Sequence, residues 1–360
     1  MAHIELKNVT KVFGQHTALK NLNLTIEDGQ FFVLLGETGA GKTTTLRLIA
    51  GLEKPTSGQV FIDGVDVADW SAAERDVALV LQQYSLYPRY TVRENLEFPL
   101  KSKLRRVPDD EIKDRVARAA KTLRIEHLLE RKTDRLSGGE MQRVSIGRAI
   151  VRKPRVFLMD EPLSALDAKL RESLRTELKD LQRRLDATFL FVTHDQIEAM
   201  SMGDMVGVLN HGRLIQVGTP KEIYDNPRDT FVASFVGSPP MNLIHGTLDK
   251  GRAIIAPKEF ELPYSGQVAA GTGTADRPLV FGIRPEDLSL EPDGPVVARV
   301  HDVENHGVEK IVTLKVGETT LRATVPARTE LKIDEDVRFA WNAEKVAMFD
   351  RKSGVSLRHT

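Results

Sequence analysis

Short apolar runs alternate with amphipathic helical segments over the first 235 residues of the chain. This pattern predicts strands at residues 3–13, 22–26, 31–35, 77–81, 156–159 and 188–192. The run at 31–35 is unbroken and bounded by glycines, which is typical of a strand buried on both faces of a sheet. A helix is predicted directly after it, at residues 42–50. Strands that alternate with helices indicate a mainly parallel sheet covered by helices, an α/β fold.

Between residues 88 and 135 the pattern changes to charged helical sequence. Ile112, Val116, Ala119 and Leu123 recur at the spacing of one helix face. We therefore expect a helical subdomain, at about residues 88–150, that packs on the sheet.

After residue 235 the alternation of strands and helices ends. The segment Gly237-Ser238-Pro239-Pro240 cannot continue a helix. The sequence beyond it has period two, with apolar residues at 296, 298 and 300, at 312, 314 and 316, and at 321, 323 and 325. This pattern predicts a small all-β domain, a sandwich or a barrel. The expected domains are therefore 1–235 and 236–360.

Composition and charge exclude several classes of protein. The 51 basic and 51 acidic side chains give a net charge of zero, and the segment 236–360 has 16 basic and 18 acidic side chains. A polybasic surface for nucleic acid or membrane is therefore not expected. The absence of cysteine excludes disulfides, thiol catalysis and cysteine-bound metals. Without a long apolar run or a secretory signal pattern at residues 1–5, we expect a soluble cytoplasmic protein.

One glycine-rich segment between a predicted strand and helix matches the pattern G-x-x-x-x-G-K-[ST] of phosphate-binding loops. Its residues, together with the following threonine, are Gly36, Glu37, Thr38, Gly39, Ala40, Gly41, Lys42, Thr43 and Thr44. Glycines let the backbone N–H groups face the phosphates, and the helix directs its positive end at them. Lys42 is expected to contact the outer phosphates, and the Thr43 hydroxyl is expected to bind Mg²⁺.

Two carboxylates follow the buried run at 156–159. Asp160 fits a magnesium-binding aspartate, and Glu161 is placed to act as general base on the attacking water. Acids at a strand end can also form a solvated edge. The preceding phosphate loop favours the catalytic interpretation.

The segment Leu136-Ser137-Gly138-Gly139-Glu140 contains a second candidate anion site. Ser137 and Glu140 form an S-x-x-E capping box, which predicts that a helix begins here. The glycines leave the helix N-terminus accessible to an anion. In isolation the segment would be an ordinary capped helix.

With this segment and the phosphate loop, the chain resembles the ATP-binding cassette (ABC) ATPases, whose signature is L-S-G-G-Q or L-S-G-G-E. The resemblance implies that Gln82 joins Mg²⁺ to the transporter contact, that Asp167 belongs to the D-loop and that Phe13 stacks on adenine. It also implies that His194 is the switch histidine that holds the γ-phosphate. The implied cofactors are ATP and Mg²⁺, bound by Thr43, Gln82 and Asp160.

Within this family, the segments 237–242 and 282–288 resemble the linker and the OB-like regulatory β-domain of carbohydrate importers of the maltose and glycerol-3-phosphate type. The resemblance implies an ATPase homodimer, in which each ATP lies between the phosphate loop of one subunit and the signature segment of the other. Two transmembrane permease subunits and an extracytoplasmic solute-binding protein are the implied partners. The implied location is peripheral, at the cytoplasmic face of the inner membrane.

The sequence departs from the family pattern at four positions. Glu37 and Thr38 replace the common Pro-Ser, Leu81 replaces Phe, and Glu140 replaces the commoner Gln. The loop binds phosphate mainly through backbone N–H groups, so we expect the Glu37 side chain to point outward. None of these changes removes an expected ligand.

Three alternatives to sugar import fit the sequence to different degrees. An importer for another small solute, such as a polyamine, fits the same residues, because the ATPase does not contact the cargo. A soluble ABC ATPase that acts on nucleic acid would need a basic groove with stacking aromatics, and a metabolic P-loop kinase would not need the signature segment. The imported solute, the identity of the permeases and any signal sensed by the C-terminal domain are not encoded in recognisable residues.

Overall fold

The computed structural model describes residues 3–102, 107–255, 260–265 and 277–358. The chain divides into two compact units, Met1–Pro220 and Lys221–Thr360. Residues 221–235 therefore belong to the second unit, whereas the change of sequence pattern predicts a boundary at 235/236.

The strands of the first unit form two sheets. They are β1 (Ile4–Phe13), β2 (His16–Ile26), β3 (Phe31–Gly36), β4 (Ser57–Ile62), β5 (Val65–Asp66), β6 (Val77–Val80), β7 (Val156–Asp160), β8 (Thr188–Thr193), β9 (Met205–Asn210) and β10 (Arg213–Gly218). The larger sheet has the order β10-β9-β3-β8-β7-β6. Its strands are parallel apart from β10, which pairs antiparallel with β9. The prediction of a mainly parallel sheet is confirmed.

A second sheet, with the order β2-β1-β4-β5, is antiparallel and was not predicted. The strands expected at 3–13 and 22–26 are present, but they belong to this sheet, and β2 begins earlier, at His16. Buried and exposed residues are mixed along β1, whereas all six residues of β3 are buried. A strand that is only partly covered is typical of an antiparallel sheet, and this explains the separate pairing.

The helices of the first unit cover the parallel sheet and form the predicted insert. They are α1 (Lys42–Ala50), α2 (Val92–Glu97), α3 (Asp109–Thr122), α4 (Gly138–Ile150), α5 (Ala168–Leu185) and α6 (Gln196–Met202). The predicted stripe on α3 is confirmed, because Ile112, Val116, Ala119 and the adjoining Leu123 are all buried. Among the described residues, no helix is both long enough and apolar enough to span a membrane.

The second unit begins with two short helices and continues as strands. Its elements are α7 (Pro220–Asp225), α8 (Thr230–Phe235), β11 (Asn242–Asp249), β12 (Arg252–Ile255), β13 (Phe260–Pro263), β14 (Leu279–Ile283), β15 (Leu288–Leu290), β16 (Val296–Asn305), β17 (Glu309–Val316), β18 (Thr319–Pro326), β19 (Asp336–Trp341) and β20 (Ala347–Asp350). Two antiparallel sheets, β13-β12-β11-β14-β20 and β15-β19-β16-β17-β18, share one apolar core. The predicted all-β character is confirmed.

A buried arginine attaches the two short helices to the strands of the second unit. Arg284 follows β14 and is 4% exposed. Its guanidinium donates hydrogen bonds to the carbonyls of Ala233, Val236 and Tyr224 and lies 4.0 Å from the centre of the Tyr224 ring. These carbonyls lie at or just beyond the ends of α7 and α8, where intrahelical donors are lacking. This arrangement explains why residues 221–235 belong to the second unit.

Replacement of Arg284 by Met is expected to destabilise the second unit by on the order of 3 kcal/mol, since buried carbonyls would lose their donors. Thermal unfolding followed by circular dichroism measures the change. Arg299→Met is the control, because Arg299 lies on β16 with its side chain 62% exposed. Equal melting temperatures for the two variants would contradict the assigned role of Arg284.

Candidate active site

The phosphate loop, residues 36–43, connects β3 to α1 at the carboxyl end of the parallel sheet. Gly39 and Gly41 have φ values of 83° and 108°, a region that L side chains rarely adopt. A Cβ at Gly41 would also lie 2.7 Å from the carbonyl oxygen of Ala18. These constraints explain the glycines of the loop. The Glu37 side chain is exposed, as expected from the sequence.

Lys42 is buried within the loop, with 4% of its surface exposed. Its Nζ donates hydrogen bonds of 2.8 and 2.9 Å to the carbonyls of Gly36 and Glu37, and lies 3.5 Å from Oε1 of Glu161. Burial lowers the pKa of Lys42, and the negative charge of Glu161 opposes this shift. The lysine therefore connects the phosphate loop to the end of β7.

The predicted magnesium ligands Thr43 and Asp160 are in direct contact. The Thr43 hydroxyl donates a hydrogen bond of 3.0 Å to Oδ1 of Asp160. Burial raises the pKa of Asp160, and this hydrogen bond partly opposes the increase. A divalent cation beside these two oxygens would offset the cost of burying the negative charge, and hard oxygen ligands suit Mg²⁺.

The two predicted catalytic residues also meet. Nδ1 of His194 lies 2.8 Å from Oε2 of Glu161, so the Glu161 carboxylate lies between Lys42 and His194. The Glu161 backbone has a φ of 44°, an unfavourable value for a residue with a side chain. It is held there by a hydrogen bond from its N–H to the carbonyl of Val192 and by one from the Ser164 hydroxyl to its own carbonyl.

The same serine connects Glu161 to the predicted glutamine. Nε2 of Gln82 donates a hydrogen bond of 3.2 Å to the Ser164 hydroxyl, which in turn donates to the Glu161 carbonyl at 2.9 Å. Ser164 precedes Asp167 of the expected D-loop by three residues, and no role for it was predicted from the sequence. Its position three residues after Glu161 was the available signal, because a serine hydroxyl commonly bonds to nearby backbone.

An open cleft of about 530 Å³ brings most of the predicted residues together. It is lined by Phe13, His16, Ala18, Thr38, Gly39, Gly41, Lys42, Thr43, Thr44, Gln82, Asp160, Glu161 and His194. His16 and Ala18 were missed by sequence reasoning. His16 pairs directly with Phe13 across the turn between β1 and β2. Cross-strand partners lie side by side, so the position of Phe13 was the signal for His16.

Nine predicted residues do not line this cleft. Three of them belong to the phosphate loop, where Gly36 and Ala40 are buried and Glu37 is exposed to solvent. The others are Leu136, Ser137, Gly138, Gly139, Glu140 and Asp167. Asp167 is the N-cap of α5 and accepts a hydrogen bond from the N–H of Leu170. The roles that the sequence predicts for these residues stay predictions.

The signature segment begins α4 as its capping box predicts. The Ser137 N–H donates to the Glu140 carboxylate at 2.8 Å, and the Glu140 N–H donates to the Ser137 hydroxyl at 3.4 Å. A Cβ at Gly139 would lie 2.1 Å from Cδ2 of Leu170 on α5. Gly139 therefore permits the close approach of α4 to α5. The residues at this helix N-terminus are not among those that line the cleft of the same chain.

Comparisons with known proteins agree with this geometry. A family model described as ABC transporter matches residues 19–164, one described as MalK OB fold domain matches 237–288, and one described as TOBE domain matches 281–349. The chain is 47% identical to the trehalose/maltose import ATP-binding protein MalK of Thermococcus litoralis, over 99% of this chain and 100% of that protein. The chain belongs to the ABC transporter ATPases of the maltose and glycerol-3-phosphate import type.

Further relatives of this ABC ATPase have different solutes in their names. The sn-glycerol-3-phosphate import ATP-binding protein UgpC of Ruegeria pomeroyi is 44% identical over 98% of this chain and 99% of that protein. The osmoprotective compounds uptake ATP-binding protein GgtA of Synechocystis is 44% identical over 98% of each chain. The identities are similar, so they do not distinguish one solute from another.

Solved structures of other ABC ATPases share the fold of the cassette. The dimeric cassette MJ0796 bound to ADP and Pi matches with a TM-score of 0.55 and 36% identity, over 60% of this chain and 98% of that chain. The protein cbiO1 of Clostridium perfringens, part of the transporter complex cbiONQ, matches with a TM-score of 0.57 and 30% identity, over 61% of this chain and 89% of that chain. The chain is thus an ABC ATPase whose activity is coupled to import.

Proposed function

We propose that this ABC ATPase energises an importer of sugars or sugar derivatives, sugar alcohols and glycerol phosphates included. The observation that carries the proposal is the cleft in which Lys42, the Thr43–Asp160 pair and the Glu161–His194 pair meet. The carbohydrate class is supported by the names of relatives that match the chain over nearly its whole length.

In this proposal each group of the cleft has one task. Backbone N–H groups of the phosphate loop and Lys42 bind the phosphates, and Phe13, 42% exposed at the cleft edge, stacks on the adenine. Thr43 and Asp160, together with Gln82 of the same cleft, would hold Mg²⁺, which neutralises phosphate charge when bound.

The Glu161 carboxylate accepts the proton of the attacking water. His194 is bonded to this carboxylate and holds the γ-phosphate beside it. Two hydrogen bonds, from Gln82 to Ser164 and from Ser164 to the Glu161 carbonyl, connect the loop that follows Gln82 to the residue that acts as base.

We also propose that two copies of the chain enclose the nucleotides. The phosphate loop and the N-terminus of α4 are the two anion sites expected from the sequence. Residues of the phosphate loop line the cleft of their own chain, and those of the α4 N-terminus do not. A second copy, arranged head to tail, would place its α4 N-terminus against the γ-phosphate, where each helix end favours the anion by up to about 2 kcal/mol. A related cassette of dimeric structure supports this arrangement.

The permease contact is proposed at an aromatic surface beside the loop that follows Gln82. Tyr87 packs against Tyr90 and Phe98, with ring centroids at 5.5 and 4.4 Å, and the Arg148 guanidinium lies 4.7 Å from the centre of the Tyr87 ring. Tyr90 and Phe98 are 39% and 45% exposed. Partly exposed aromatics beside arginine are typical of protein interfaces. Tyr84 and Tyr87, on the loop that follows Gln82, are both half-buried.

The solute is tested by isolating the transporter. The tagged ATPase is co-purified with its two permease subunits, the complex is reconstituted in vesicles, and ATP hydrolysis is measured with the solute-binding protein loaded with candidate solutes. We expect stimulation by a sugar, a sugar alcohol or a glycerol phosphate. Stimulation by a polyamine or another unrelated solute alone would contradict the carbohydrate class. An importer of other osmoprotective solutes is the second candidate, since one relative carries that name.

We propose that the residues from about 236 onward regulate the ATPase and support dimerisation without taking part in the chemistry. Among the residues that the structure describes, all that line the cleft precede them. A chain that ends at residue 220, where the first compact unit ends, is therefore expected to bind ATP with an affinity within about threefold of the full chain, as measured by fluorescence of a nucleotide analogue. Loss of binding in a truncated chain with native circular dichroism would contradict this assignment.

A further inference from the structure

Arg171, in the first turn of α5, connects two loops of the active-site region. Its Nη2 donates a hydrogen bond of 3.1 Å to the carbonyl of Leu166, the residue before Asp167. Its Nη1 donates one of 3.3 Å to Oδ2 of Asp195, the residue after His194. Arg171 itself does not line the nucleotide cleft. A planar guanidinium can bridge two such acceptors at fixed geometry, which an ammonium cannot do.

The turn that carries the histidine, residues 193–195, is held by a small polar network. The Asp195 N–H donates to the Thr193 hydroxyl at 2.9 Å, and the Thr193 hydroxyl donates to Oε2 of Glu198 at 2.5 Å. The other Glu198 oxygen lies 4.0 Å from Nε of Arg171. Glu198 is nearly fully buried, and burial raises its pKa. Arg171 faces both Asp195 and Glu198, and the charge of Arg175 also acts on Glu198.

His194 needs such support because packing does little to orient it. Its side chain is 52% exposed, and its Nδ1 forms a hydrogen bond with the carboxylate of Glu161. The direction of an exposed imidazole depends on the backbone that carries it. Asp195 is both the next residue and the N-cap of α6, so the position of Asp195 sets that backbone.

We propose that Arg171 is a positioning residue for ATP hydrolysis, which holds His194 against Glu161 by tying Asp195 to the carbonyl of Leu166. The proposal rests on the proposed roles of Glu161 and His194. It assigns to Arg171 an effect on the rate of hydrolysis and none on nucleotide affinity, because no atom of Arg171 reaches the cleft.

The test compares Arg171→Gln in the wild-type chain and in a His194→Ala chain. In the wild-type chain, we expect kcat to fall about 10- to 100-fold, the range that small misplacements of catalytic groups cost, while the Kd for ATP changes less than twofold. In the His194→Ala chain, we expect no further fall, since Arg171 would act through the missing imidazole. Single-turnover hydrolysis of radiolabelled ATP measures the low rates.

Two further variants separate positioning from general stability. Arg171→Lys keeps a cation opposite Asp195 and is expected to recover part of the lost kcat. Arg183→Gln is the matched control, because Arg183 lies on the same helix with its side chain 69% exposed, and it is expected to hydrolyse ATP at the wild-type rate. Melting temperatures are recorded for all variants.

Equal losses caused by Arg171→Gln with and without His194 would overturn the proposal, as would an unchanged kcat in the wild-type chain. Failure of the proposed catalytic roles has a different result. In that case His194→Ala alone would hydrolyse ATP at the wild-type rate, which would overturn the role of His194 together with that of Arg171.

Discussion

Glu161→Gln is expected to reduce ATP hydrolysis about 10²- to 10⁴-fold, the usual contribution of a general base, while ATP binding persists. The substitution keeps the size of the side chain and its hydrogen bond to His194 but removes the proton acceptor. Lys42, Thr43 and Asp160, which are expected to bind the nucleotide and its metal, are unchanged. Closed dimers should then accumulate, because the ATP that joins the subunits is not consumed.

The measurement combines a phosphate-release assay with light scattering in the presence of ATP and Mg²⁺. Asp160→Asn is the contrasting variant, since it removes charge beside the Thr43 hydroxyl and should weaken Mg²⁺-dependent binding itself. Hydrolysis by Glu161→Gln at the wild-type rate would show that Glu161 is not the base.

Lys42→Ala is expected to weaken ATP binding about 10- to 100-fold and to reduce turnover as well. Hydrogen bonds to charged groups contribute about 1.5–3 kcal/mol each, and Lys42 is the only lysine or arginine among the lining residues described for the cleft. Burial removes water from the ammonium group of Lys42 and so disfavours its charged form. A bound phosphate would stabilise that charged form again.

Nucleotide affinity is measured by titration with a fluorescent ATP analogue. Lys113→Ala is the control, because Lys113 is exposed on α3 and remote in sequence from the phosphate loop. If Lys42→Ala bound ATP with wild-type affinity, the phosphate loop would not be the nucleotide site.

Local patterns along the chain were sufficient to predict several elements. The helix at 42–50 was predicted with the bounds observed for α1. The helix that follows Ser137 was predicted from its capping box, and both hydrogen bonds of that box are present. Such features depend on neighbours within a few residues, so a sequence window contains the whole physical cause.

The separate antiparallel sheet and the attachment of residues 221–235 to the second unit could not be predicted in the same way. The pairing of β1 with β4 joins residues about fifty positions apart. Arg284 bonds to carbonyls that precede it by 48 to 60 residues. Contacts of this range depend on the packing of the whole unit, which local propensity does not encode.

The residue types needed for phosphate and Mg²⁺ chemistry, and the order of the motifs along the chain, were determined by the sequence itself. Glycines at left-handed positions and a lysine and threonine at a helix start are local requirements of the phosphate loop. Only the tertiary structure decided how the distant residues meet. Because parallel strands end at one edge of the sheet, β3, β7 and β8 bring Lys42, Glu161 and His194 together. The contact of Arg171 with Asp195 was likewise decided by the tertiary structure, because it depends on how α5 packs and not on any sequence pattern around Arg171.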